Sequence, residues 1–187
     1  MSYNGEIWES DSMAMSELEK HFIAIGGWIS TKFQLHMNSL TNSVKKRTIN
    51  VGEIWNCDLG FNIGDEKNKK RPVLVISNNR INQSGKVIVL FMTDALGKVD
   101  TVKNFPKQNS WYLLFSTTTD NDMMFKAGRR IPKNKIAYDC LHKDTIVQCE
   151  EIRSVSKSRF DSMIMGTIDP NDLKIIKAKL KTVFEIL

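Results

Sequence analysis

Arg71 and Thr93 are the two side chains in this sequence best placed to act together. A guanidinium stays charged, is planar and offers paired donors that match a phosphate group. A threonine hydroxyl can donate one hydrogen bond and accept others. Arg71-Pro72 leads into Val73-Leu74-Val75-Ile76-Ser77, an apolar β-branched run that reads as a buried strand. Thr93 closes Lys86-Val87-Ile88-Val89-Leu90-Phe91-Met92, which reads as another. A turn of Asn, Arg, Gln, Ser and Gly joins the two. If they pair antiparallel, Arg71 and Thr93 fall at the same end of the sheet, at the mouth of one groove. Each residue also has an ordinary reading. An arginine before a proline can simply solvate a strand start, and a β-branched residue is common at a strand end.

Several further elements must position this pair. Gly52 to Leu59 alternates enough to form a strand with one buried face, and the polar loop Phe61 to Lys70 links it to the Arg71 strand. Past Thr93 come a polar segment from Ala95 to Asn109, the apolar strand Trp111 to Phe115, and a second polar stretch from Ser116 to Lys143. Connections this long in a compact domain tend to be binding loops or partly mobile. Thr145 to Val155 reads as a strand pair or one long bent strand, Ser156 to Phe160 as a short turn of helix, and Met163 to Ile168 as a last strand. Asp169 is a good N-cap, and Pro170 stands at the first helical position, where its missing N–H costs nothing. Leu173, Ile176, Leu180, Val183 and Leu187 then line one face of a helix that closes one side of the β-domain.

The N-terminal stretch has a different pattern. Met15, Leu18, Phe22, Ile25, Ile29, Phe33, Met37 and Leu40 recur at three- and four-residue steps, which predicts a helix over about Ser12 to Asn42. Ser16 with Glu19 resembles a capping box, with Asp11 or Ser12 as other starting points. Gly26-Gly27 interrupts the pattern at about 1 kcal/mol per glycine relative to alanine. One helix with a weak point there, or two shorter ones, is therefore expected. The apolar stripe must dock, against the domain or against a second copy of the chain. Basic residues are too sparse on the polar face for a membrane-surface helix. Lys45, Lys46 and Arg47 make a short basic linker, so residues 1–47 are read as a helical extension with its linker and 48–187 as the β-domain.

Composition narrows the class. A chain of 187 residues can bury a real core without disulfides or metal. It carries 27 Lys and Arg against 21 Asp and Glu, a formal net charge of +6, which suits a polyanionic partner. Cys57, Cys140 and Cys149 are odd in number and lack C-x-x-C spacing, which favours buried reduced thiols. His21, His36 and His142 have no metal-ligand spacing, so no metal or other cofactor is expected. No apolar run approaches the roughly 20 residues that span a bilayer, and no secretory signal is evident, so a cytoplasmic protein without a membrane partner is expected.

Four blocks, in order, carry a family resemblance. The first is Gly52-Glu53-Ile54-Trp55 with Asp58-Leu59, Gly64, Glu66 and Arg71-Pro72-Val73-Leu74-Val75-Ile76; the second is Val87-Ile88-Val89 ending at Thr93. The third runs from Asp144 to Val155, and the fourth is Pro170 with Leu173 to Leu180. Together they resemble the PemK/MazF family of toxin endoribonucleases over most of Val51 to Leu187. The resemblance implies an SH3-like small β-barrel with a C-terminal helix, here preceded by the N-terminal helical extension, an α+β chain that is mainly β. It further implies a homodimer, metal-independent cleavage of single-stranded RNA, and a cognate antitoxin in the RNA groove.

Within that resemblance the residues take roles. Arg71 would stabilise the equatorial oxygens as the 2′-OH attacks phosphorus, leaving 2′,3′-cyclic phosphate and 5′-OH ends, and Thr93 would hold the scissile phosphate. Glu66 is a candidate base, although Lys69, Lys70 and Arg71 beside it would lower its pKa, and a plain surface charge is the other reading. Glu150 aligns with an acidic position used in some members, and could instead orient Arg71 or sit in a dimer contact. RNA should be held by cations and ring faces. Candidates are Phe61, Lys69, Lys70, Asn78, Arg80, Asp94 and Lys98, with Lys126, Arg129, Arg130, Lys133 and Lys135, whereas Trp55 and Trp111 belong to the core. The chain departs from the family pattern at Lys67 and Glu151, where glutamines are usual, in the long Asp94 to Lys143 connection, and in the N-terminal helix. The competing expectation is a non-catalytic, protein-binding toxin on the same barrel, like the gyrase-poisoning CcdB relatives.

Overall fold

A computed structural model describes residues 6–100, 105–117 and 135–186. Lys126, Arg129, Arg130 and Lys133 lie outside the described residues. The chain begins with α1 (Glu6–Leu40) and a short α2 (Asn42–Lys45). The strands follow: β1 (Glu53–Asp58), β2 (Lys70–Val75), β3 (Lys86–Asp94), β4 (Val99–Asp100), β5 (Phe105–Pro106), β6 (Trp111–Ser116), β7 (Ala137–Tyr138), β8 (Thr145–Ser156) and β9 (Gly166–Thr167). The last helix is α3 (Pro170–Val183).

Seven strands form one sheet in the order β7-β6-β8-β3-β2-β1-β9, antiparallel except for the β6–β7 pair. The sheet curls into a half-barrel. Its two margins approach each other at Gly166 of β9, where an added Cβ would stand 2.6 Å from the Cys140 sulfur. Close by, the Asp169 backbone N–H donates to the Tyr138 hydroxyl at 3.0 Å. β8 is a single bent strand. Its pairing with β3 jumps from Leu90↔Ile152 to Phe91↔Gln148, and that irregularity lets one strand bond to both β3 and β6.

Alternation along the strands makes two apolar faces. Ile54, Leu74, Leu90, Met92 and Val147 lie on one, covered by Leu173, Ile176 and Leu180 of α3. Trp55, Cys57, Val73, Val75, Val89 and Phe91 lie on the other with Phe160. α3 starts as its local sequence dictates: Asp169 accepts from the Asn171 backbone N–H at 2.8 Å, with Pro170 just inside. A buried polar clasp also ties it down, because the hydroxyls of Tyr112 and Tyr138 both donate to the Asp172 carboxylate. Trp55 and Trp111 are core residues, and Cys57 and Cys149 are buried free thiols.

α1 differs from expectation at its start, and at the glycines it takes the first of the two expected forms, one long helix. It starts at Glu6, a turn and a half before Ser12, so the Ser16–Glu19 pair lies inside the helix. It also runs unbroken through Gly26 and Gly27, around which there is open space. The helix meets the domain through few residues. Gly60 has φ +90 and passes so close to Trp28 that a Cβ there would overlap the indole. The Arg159 guanidinium lies 5.6 Å from the Trp28 ring centre, and His21 meets Phe61 edge-on at 6.4 Å. Much of the apolar stripe stays in solvent, with Phe22 71% and Phe33 61% exposed.

Candidate active site

β2 and β3 do pair antiparallel, with Val73 opposite Phe91. Carried on by two residues, that register sets Arg71 across from Thr93. Alternation then turns both toward the face that bears Val73 and Phe91. Both also line one cavity of about 350 Å³ at that end of the sheet, with Asn56, Lys70, Asp94, His142 and Lys143.

Each cation in this cavity is held differently. Lys70 pairs with Asp161 at 2.6 Å, and Lys143 reaches Asp94 at 3.3 Å. Arg71 uses its Nε to donate to the Asn68 carbonyl at 2.8 Å. Among the described residues, no carboxylate pairs with its two terminal nitrogens. One edge of the guanidinium is therefore anchored to the loop, and the opposite fork is left to grip an anion. Lys69 sustains this loop with a positive φ of 66, and its N–H bonds to the Gly60 carbonyl at 2.9 Å.

Not every expected residue comes to this cavity. Glu66 is held by Arg153 at 3.0 Å and is not among the lining residues. Glu150, displaced by the irregularity in β8, accepts from the Trp111 indole N–H. Phe61 is in contact with His21 of α1. Asn78 accepts from the Ile81 backbone N–H at 3.0 Å, and Arg80 precedes the 3-10 turn Ile81–Gln83; this turn is at the other end of β2 and β3 from Arg71. Lys98 donates to the Asp94 carbonyl at 3.0 Å, and Lys135 to the Tyr112 hydroxyl at 2.6 Å.

In the cavity itself the sequence reading missed His142, Lys143 and Asn56. The available signal was positional: Asp94 pairs with Thr145, so the residues just before β8 must lie beside the end of β3. The two departures from the family pattern also meet. Lys67 and Glu151 form an ion pair at 3.9 Å, next to the Glu66–Arg153 pair, so two bridges join the β1–β2 loop to β8.

The sequence matches the family model of the "PemK-like, MazF-like toxin of type II toxin-antitoxin system" over residues 50–184. The chain belongs to the PemK/MazF toxin family. It is 32% identical over 136 residues to endoribonuclease MazF9 of Mycobacterium tuberculosis, covering 70% of this chain and 91% of that one. Among solved structures it is similar to a mycobacterial endoribonuclease in complex with its cognate antitoxin, at 17% identity and a TM-score of 0.48 over 74% of this chain and 97% of that one. MazF from Deinococcus radiodurans also has a TM-score of 0.48, at 14% identity over 75% and 99% of the two chains.

Proposed function

We propose that this PemK/MazF toxin is an endoribonuclease that cleaves single-stranded RNA without a metal ion. The observation that carries the reading is that Arg71 and Thr93, which the β2–β3 register sets across from one another, both line one cavity, with no carboxylate among the described residues paired to the Arg71 guanidinium. In-line attack of a 2′-OH on the adjacent phosphorus places negative charge on the equatorial oxygens. The Arg71 fork is suited to meet that charge, and Thr93 to hold the same phosphate. The attacking hydroxyl must lose a proton and the departing 5′ oxygen must gain one. His142 is better sited for these transfers than Glu66 or Glu150, since it lines the cavity and they do not. The products are a 2′,3′-cyclic phosphate and a 5′-OH. Lys70 and Lys143 add positive charge that draws the strand in.

The proposal includes a homodimer, action in the cytoplasm, and a cognate antitoxin that silences the toxin by covering this groove. The family's description as the toxin of a type II toxin-antitoxin system supports that last part. The family match does not favour the gyrase-inhibitor alternative. The test is incubation with a defined single-stranded RNA pool in EDTA, followed by end-group mapping. Arg71→Ala is expected to lower the cleavage rate by roughly 10²–10³, and His142→Ala to lower it by roughly 10² or more. Undiminished cleavage by Arg71→Ala would take this residue out of the mechanism.

A further inference from the structure

A second cavity, of about 400 Å³, lies at the opposite end of the sheet. Along β3 it is separated from Thr93 by the length of the strand, since Lys86 begins that strand about 23 Å away. Its walls are the segment 46–50, the turn bearing Asn79, Asn82 and Gln83, and Lys157 of the 3-10 turn after β8.

Lys157 is the unusual residue. It is 2% exposed, yet among the described residues its ammonium has no carboxylate partner. Its Nζ donates to the Arg47 carbonyl at 2.7 Å. An ammonium has three N–H groups, so two are left without an acceptor among the described residues, and buried charge of that kind is costly unless something answers it. Burial accordingly pushes its pKa down from the ordinary lysine value, with no acid opposing the shift.

The rest of the lining adds further donors and no carboxylate. Asn79 accepts from the Val51 N–H at 2.8 Å through its oxygen, which leaves its amide NH₂ to donate. Lys46 is exposed at the rim and Gln83 stands on the turn. Arg47 adds charge, its two terminal nitrogens being bound to the carbonyls of Phe160 and Asp161. Two acids act on Arg47 and both are already engaged: Asp161 pairs with Lys70 at 2.6 Å, and Glu53 accepts from Asn50 at 2.8 Å and from the Trp55 indole at 2.9 Å.

We propose that this cavity is a phosphate-binding site, separate from the Arg71 site, with Lys157, Lys46, Asn79 and Gln83 as its donors. The group it takes is either the phosphate of a free mononucleotide or a backbone phosphate of an RNA strand. The site does not depend on the nuclease reading, because none of its residues takes part in that chemistry.

The test is NMR titration of the ¹⁵N-labelled full chain at constant ionic strength, following Lys46, Asn79, Gln83 and Lys157 alongside Arg71 and Thr93. Inorganic phosphate, AMP, and 2′-O-methyl RNA of two and of ten nucleotides serve as separate probes. Saturable shifts at the four residues with phosphate are expected. Lys157→Met is expected to weaken them about tenfold or more, as loss of a charged hydrogen bond does. Lys46→Ala with Gln83→Ala, which leaves the buried ammonium in place, provides a second variant should Lys157→Met not fold, and the same weakening is expected. Tighter binding of AMP than of the decamer identifies the nucleotide as ligand; tight binding by the decamer alone identifies the strand. Either result supports the site. No saturable shift with any probe, or a phosphate response unchanged in both variants, would show that the cavity holds only water and overturn the proposal. Loss of RNA cleavage with this response intact would sink only the nuclease reading.

Discussion

At the residue scale, one anchored edge and one unengaged edge define Arg71. The Asn68 carbonyl holds the Nε side, which orients the guanidinium at little entropic cost before any ligand arrives. The loop that supplies this carbonyl is itself fastened to β8 by Glu66–Arg153 and Lys67–Glu151. A lysine and a glutamate replace the glutamines of the family pattern, and here they answer one another. At 3.9 Å and partly exposed, the Lys67–Glu151 pair contributes at most about 0.5 kcal/mol. Its effect should therefore be on loop order rather than global stability. Lys67→Glu is expected to place two acids together, speed hydrogen exchange in residues 61–69 and slow RNA cleavage. Adding Glu151→Lys should restore both. A double variant no better than the single one would show that the pair does not hold the loop.

At the element scale, the unbroken α1 makes a direct prediction. Gly26 and Gly27 have open space around them and helical neighbours on both sides, so neither packing nor backbone geometry calls for glycine. Gly26→Ala with Gly27→Ala should stabilise the helix by about 2 kcal/mol in propensity. This would appear as slower amide exchange across α1 and higher helicity on warming. Unchanged exchange would mean that docking through Trp28, not propensity, limits the order of α1. The elements also divide by how far their causes lie along the chain. α3 was legible because Asp169, Pro170 and the leucine-isoleucine stripe lie within a few turns of one another. The strands around Arg71 and Thr93 were legible for the same reason, while their antiparallel pairing stood as a condition that the register of β2 and β3 meets. The start of α1 was not, since a serviceable cap at Ser16 says nothing about favourable residues upstream. His142 in the cavity, the Lys67–Glu151 bridge and the Glu150–Trp111 bond depend on strand register between distant segments, which no local pattern encodes.

At the scale of the whole molecule, the two-faced sheet shields its thiols, and this sets an alkaline limit. Burial pushes the Cys57 thiol up to about 12 and Cys149 to about 11, against 9.0 for an ordinary thiol. Tyr112 and Tyr138 are raised as well, first by burial and then by the Asp172 carboxylate they donate to. A raised acid pKa means that the unfolded chain releases its proton first as pH climbs. Stability is thus complete below about pH 9 and falls between there and pH 11, by up to about 1.4 kcal/mol per pH unit for each buried thiol. Urea midpoints measured at pH 7, 9 and 10.5 should be level over the first interval and drop over the second. A level midpoint throughout would mean that these thiols ionise freely in the folded protein.

The seat of Trp28 has a consequence for biosynthesis. The indole rests against Gly60 and Arg159, so the first helix to leave the ribosome has no complete berth until nearly the whole polypeptide has been made. At ordinary translation speeds that wait is on the order of ten seconds. Throughout it, the nascent chain carries a greasy amphipathic rod ahead of an unfinished toxin.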